Sequence, residues 1–108
     1  MRTRVTPARL IPPGRIIERE LIARGWAQSE LAAIMGRPKQ MINEIIRARK
    51  RITPETALEL GAAFDTPAEF WLNLETNYRL RLRQNEIDIS EITKRRVQHE
   101  QRFPTLQT

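Results

Sequence analysis

A 108-residue chain that is 40% apolar and 30% charged has room for one domain and a modest core, and with only 6% aromatic residues aliphatic side chains must supply most of the packing. The lack of cysteine excludes disulfides and thiolate metal sites, and no apolar run approaches the ~20 residues of a membrane span. The arginine-bearing N-terminus has no apolar signal core, so the expected location is the cytoplasm.

The net charge of +6 is informative through its distribution. Between Gly36 and Arg51 lie Arg37, Lys39, Arg47, Arg49, Lys50 and Arg51, opposed only by Glu44. From Ile52 to Tyr78 there is no Lys or Arg, while Glu55, Glu59, Asp65, Glu69 and Glu75 are all acidic. Two solvated faces of opposite sign would explain either run alone. A basic cluster confined to one candidate helix and its exit is the footprint of phosphate binding.

Residues 1–12 read as a basic extended arm carrying Arg2, Arg4 and Arg9, either a tail or a reach toward phosphates or a minor groove. Residues 13–83 read as a helix-turn-helix domain and 84–108 as a C-terminal extension with a helical segment. The first helix is expected over 13–24, with Ile17 and Leu21 on one face, Ile16 and Ile22 widening it, and Gly25 ending it. Ala27-Gln28-Ser29-Glu30 opens the second, whose inward positions are Leu31, Ile34 and Met35, with Ala32 small enough for a close helix crossing. Gly36 supplies the positive φ of a tight interhelical turn.

A third helix follows from Pro38 to Ala48, burying Ile42, Ile45 and Ile46 and presenting Lys39, Gln40, Asn43 and Arg47 outward. Thr53-Pro54-Glu55 is a helix start with Thr53 as N-cap, and the fourth helix packs through Ala57, Leu58, Leu60 and Ala62 or Ala63. Thr66-Pro67-Ala68-Glu69 repeats the signal as a capping box. On the fifth helix Phe70 and Leu74 are expected to close the core, leaving Trp71 and Tyr78 for a dimer interface. Asn85 to Ile89 alternates as a short extended piece, and Asp88 with Glu91 has capping-box spacing before a polar helix over 89–102.

The expected architecture is therefore all-α: a five-helix lambda-repressor-like domain plus the extension. Lys39 and Gln40, in the first turn of the third helix, are best placed to reach base edges, since Lys donates to guanine and Gln pairs bidentately with adenine. Asn43 and Met41 complete the base-contact set. Gln28, Arg37, Arg47, Arg49, Lys50 and Arg51 are the candidate phosphate contacts. Glu44 either orients Arg47 or Gln40 within the helix or is a solvated charge.

Catalysis and metal binding find no support. The one histidine, His99, lies in the weakest segment without an HExxH pattern, there is no Gly-rich phosphate loop, and capping explains several carboxylates. No catalytic residue, metal ligand or cofactor is expected.

The stretches PPGRIIERELIARGWAQSELAAIMGRP, INEII and RITPETALELGAAFDTPAEFWLNLETNY resemble the HigA family of toxin–antitoxin antidotes, within the lambda-repressor-like, Xre-type group. The segment ITPETALEL with TPAEFWLNL is the most specific part, and about residues 12–78 are covered. The resemblance implies a homodimeric antitoxin that binds a HigB-type toxin, a ribosome-dependent mRNA endonuclease, and represses its own operon through operator DNA. The family's base-contact positions fall on Pro38, Lys39, Gln40 and Met41. Pro38 stands where a Ser or Thr cap is frequent and Met41 where a small polar residue is frequent, so the operator sequence does not carry over. The acidic stretch from Glu55 to Glu75 is one candidate surface for a basic toxin. The alternatives are a stand-alone Xre-type repressor and a protein-interaction module whose basic helix meets an acidic partner.

Overall fold

The computed structural model describes residues 10–84 and 86–102, so Arg2, Arg4 and Arg9 of the arm and the chain end beyond Arg102 lie outside the described residues. Six helices follow one another: α1 Pro13–Arg24, α2 Gln28–Met35, α3 Lys39–Ile46, α4 Pro54–Phe64, α5 Ala68–Gln84 and α6 Ile89–Arg102. No strand occurs among the described residues. The all-α class holds, with six helices where a five-helix fold was expected, the sixth lying in the stretch read as a C-terminal extension.

Each boundary has a local cause. Pro13 begins α1, and Gly25 ends it at φ 69 while its N–H reaches back to Ile22 and that of Trp26 to Leu21. Gly36 ends α2 in the same way, with φ 69. Thr53 caps α4 by accepting the Thr56 N–H at 3.2 Å, and Asp65 closes that helix at φ 58. The third helix stops two residues short of expectation. Ala48 turns left-handed at φ 61, so the amides of Arg49 and Lys50 fold back onto the Glu44 carbonyl. The alternating 85–89 stretch gives no extended piece in its described part. Glu86 and Ile87 turn back onto the Arg83 carbonyl, and Asp88 caps α6 through the Ser90 hydroxyl and the Glu91 N–H.

The core gathers Ile17 and Leu21 of α1, Leu31 and Ala32 of α2, Ile42, Ile45 and Ile46 of α3, and Ile52 from the α3–α4 loop. Ala57, Leu60 and Phe64 of α4 and Trp71 of α5 complete it. A row of rings runs along the lower side: Trp26 stacks on Phe64 at 5.9 Å, and Phe64 meets Trp71 at 5.6 Å. Trp71 is wholly buried, and its indole N–H donates to the Thr66 hydroxyl at 2.8 Å, which satisfies its one polar atom.

Several expected positions are reversed. Trp71 fills the monomer core and has no surface to give a second chain, whereas Phe70 is exposed and only its edge meets Trp71. Ile34 is exposed because the inward side of α2 is Leu31, Ala32 and, partly, Met35. Leu58 is exposed because α4 turns Thr56, Ala57, Leu60, Gly61 and Phe64 inward. Ile22 also lies outside. Periodicity placed each beside the buried stripe, and the neighbouring helices cover only its centre.

Two glycines permit close approach. A Cβ on Gly14 would sit 2.1 Å from the Ile46 carbonyl oxygen, and one on Gly61 would sit 2.5 Å from that of Thr66. The Gly14 contact fixes the start of α1 against the end of α3, one residue before the basic loop begins.

Candidate nucleic-acid interface

α2 and α3 pack across the Gly36 turn, and the isoleucines of α3 bury one side of it completely. Its opposite side is therefore held rigidly outward. Lys39 and Gln40 occupy the first turn of α3 and are exposed. Pro38 precedes the helix at φ −64 and ψ 144 and supplies no side-chain cap. The positive end of the α3 dipole thus stands at the same surface as the Lys39 ammonium.

Asn43 sits one turn further on and is half-buried. Its side-chain amide donates to Gln28 Oε1 at 3.3 Å. This contact ties the first residue of α2 to the middle of α3, 15 residues apart, and fixes which atoms each amide has left. Gln28 retains its NH2 donors for a phosphate, and Asn43 retains its carbonyl. Both were expected at the interface; that they hold each other was not.

The exit of α3 is the densest cationic surface. Arg47, Arg49, Lys50 and Arg51 are all exposed, on a loop fixed by the left-handed Ala48 and by Ile52, whose N–H donates to the buried carboxylate of Glu75 at 3.2 Å. Glu75 also receives Arg79. A buried acid on α5 thus anchors the basic loop at its far end.

Two of the expected contacts are engaged by the protein itself. Met41 packs against the core instead of standing free beside the bases, because it lies one residue before Ile42 on the shoulder of the buried side. Arg37 is engaged by α4. Its Nε and Nη2 lie 3.0 and 2.5 Å from the two Glu59 oxygens, and Glu55 lies 3.3 Å away. The hydrogen bond from Arg37 holds the Glu59 carboxyl below the ordinary carboxylate range against the opposing effect of burial, and the Arg37 charge adds to it. That same bond holds Arg37 above its ordinary value. The pair is a brace between the helix-turn-helix and α4, and it occupies the guanidinium that was expected at a phosphate. It also draws Glu59 away from the acidic surface suggested for a toxin, as Arg79 draws Glu75, while Glu55 stays exposed. The sequence signal was present only as equal and opposite charge runs, which do not say which members meet.

Among the described residues no group of three His, Asp or Glu is placed to hold a metal ion. Among the described residues no helix is long and apolar enough to cross a membrane.

The helix-turn-helix family model matches residues 17–71, from the inward face of α1 to the start of α5. The solved antidote protein of the HigA family from Coxiella burnetii superposes with a TM-score of 0.70 at 32% identity, over 78% of this chain and 91% of that one. The chain belongs to the HigA family of Xre-type helix-turn-helix proteins. Two further relatives match as well. The antitoxin HigA of Pseudomonas aeruginosa, solved with the higBA promoter, matches at a TM-score of 0.66 and 30% identity over 85% of this chain and 95% of that one. Virulence-associated protein I of Dichelobacter nodosus is 35% identical over 77 residues, 70% of this chain and 71% of its own. The HigA structures cover more of the chain, 78% and 85% of it, than the family model over residues 17–71.

Proposed function

We propose that this protein is a cytoplasmic antitoxin that neutralises a HigB-type mRNA endonuclease and, as a homodimer, represses its own operon by placing α3 in the major groove of operator DNA. The observation that carries the DNA half is the rigid outward face of α3. Lys39 and Gln40 lie at its exposed leading end, the Gln28–Asn43 pair behind them, and the cations Arg47 to Arg51 at its exit. Lys39 and Gln40 read base edges, each good contact being worth roughly 1–3 kcal/mol of discrimination. Asn43 adds a carbonyl acceptor for a base amine. Gln28, Arg47, Arg49, Lys50 and Arg51 bind phosphates, which hold the domain in register without reading sequence. Two-fold operators are read by two-fold proteins, so one domain serves each half-site.

The decisive experiment is a binding titration against the chain's own upstream promoter and a scrambled duplex. Lys39→Ala with Gln40→Ala is expected to erase the preference between the two while leaving residual affinity for both. Retention of the full preference overturns the base-reading assignment. Co-expression with a HigB-type toxin, taken from beside this chain's own gene where one is encoded there, tests the other half: rescue of growth and co-purification support an antitoxin, and an absence of both leaves a stand-alone repressor.

A further inference from the structure

The basic loop between α3 and α4 carries most of the proposed phosphate contacts, yet few bonds hold it. At its start the amides of Arg49 and Lys50 both return to the Glu44 carbonyl, at 2.8 and 3.2 Å. At its end the Ile52 side chain is buried, and the Ile52 N–H donates to Glu75 Oε1 at 3.2 Å. Lys50 and Arg51, between these points, are exposed. The side of the loop exit that faces α5 is not filled by side chains. A cavity of about 470 Å3 opens there, lined in part by Arg51, Ile52, Glu75, Arg79 and Leu80. Packing gives the exit little support on that side. Among the described residues, Glu75 is the one side chain that accepts a hydrogen bond from a loop amide.

A carboxylate only 7% exposed is costly unless it is both paired and hydrogen-bonded. Glu75 meets both conditions, with Oε1 on the Ile52 amide and Oε2 on the Arg79 guanidinium one turn along α5. An apolar residue would fill the same place without that cost. We infer that Glu75 is a positioning residue for DNA binding: it holds the Ile52 amide so that Lys50 and Arg51 are presented to phosphates in a fixed position. This deepens the DNA reading above and rests on it. A loop that is already held loses less conformational freedom when each phosphate is bound. α5 thereby contributes to operator affinity from behind the face, through a residue 23 positions beyond the one it holds.

The sign of the effect separates positioning from charge. Glu75 is an acid beside a basic loop, so by its charge alone it opposes phosphate binding, and its removal would strengthen the attraction. As an anchor, its removal weakens binding. Glu75→Gln and Glu75→Met both delete the charge and both release Arg79. The glutamine side chain keeps an oxygen for the Ile52 amide, whereas the methionine side chain fills the space without one.

The test is a titration of the full-length chain against its upstream promoter over a series of salt concentrations, at a temperature where every variant is folded. It is accompanied by amide hydrogen exchange at Ile52. Glu75→Met is expected to lower operator affinity about tenfold, equivalent to about 1.4 kcal/mol. It is also expected to lower the slope of log affinity against log salt by about 0.9, one phosphate contact, and to lose protection at Ile52. Glu75→Gln is expected to restore all three towards the parent. Thr66→Val, which removes the acceptor of the Trp71 indole near the start of α5, is the control for simple destabilisation and is expected to lower Tm without changing affinity or slope. Equal or tighter operator binding by Glu75→Met overturns the proposal, because charge alone then decides. Equal losses in Glu75→Gln and Glu75→Met, or an equal loss in Thr66→Val, overturn it as well. Should Glu75→Met not fold, Glu75→Asp keeps the charge and withdraws the oxygen, and parent-like binding by that variant refutes positioning. A parent whose binding is independent of salt and untouched by Arg49→Ala overturns the DNA reading itself, a separate result.

Discussion

Gly14→Ala is the substitution that most directly tests how the DNA-binding face is held. An alanine Cβ would lie 2.1 Å from the Ile46 carbonyl oxygen and 2.5 Å from its carbonyl carbon and Cα. An ordinary carbon–oxygen contact begins near about 3.3 Å, so the start of α1 and the end of α3 must separate by more than about 1 Å. Neither side can yield by rotating a side chain, since the obstruction is backbone. Overpacking of this kind costs about 1–3 kcal/mol or more, and the better helix propensity of alanine returns at most about 1 kcal/mol. The net loss of about 1–2 kcal/mol corresponds to a fall of roughly 5–15 °C in Tm for a domain of this size. Calorimetry measures it directly. Because Ile46 leads straight into Arg47 to Arg51, operator affinity is also expected to drop at temperatures where the domain is still folded. An unchanged or higher Tm would show that α1 does not rest on the end of α3, and that the basic loop is positioned in some other way.

The converse change, Ala48→Gly, is expected to stabilise the protein by up to about 1 kcal/mol, since it relieves a left-handed backbone at φ 61; a lower denaturation midpoint would contradict that geometry. Arg49→Ala is expected to leave Tm unchanged and to lower the slope of log affinity against log salt by about 0.9, the effect of one lost phosphate contact. Arg37→Met is expected to do the reverse, lowering Tm with no change in that slope, because the Arg37 guanidinium is paired with Glu59 of α4. Glu59 gives a pH signature. Its carboxyl is held below its unfolded value by Arg37, so its contribution is fully present above about pH 4.5 and is lost as pH falls through the folded value. Glu59→Gln is therefore expected to flatten the acid limb of the Tm–pH curve, and an unchanged limb would remove the pair as its cause.

Much of the DNA face was legible because its signals are local. Gly25 and Gly36 are needed where the chain turns left-handed, Thr53 and Pro54 start α4, and the isoleucine spacing of α3 separates a buried side from an outward one bearing Lys39 and Gln40. These depend on residues within one or two turns of each other, so the sequence alone determined the helices, the turn and the outward cations. Tertiary structure decided everything that rests on pairs far apart in the chain. Arg37 and Glu59 are 22 residues apart, and Glu75 reaches the Ile52 amide across 23. Charge runs say that such groups exist, not which of them meet. The same limit explains Trp71, Phe70, Ile34 and Leu58. Helical periodicity assigns residues to a stripe, while the width of stripe that becomes core is set by how closely neighbouring helices approach, here controlled by backbone contacts at Gly14 and Gly61.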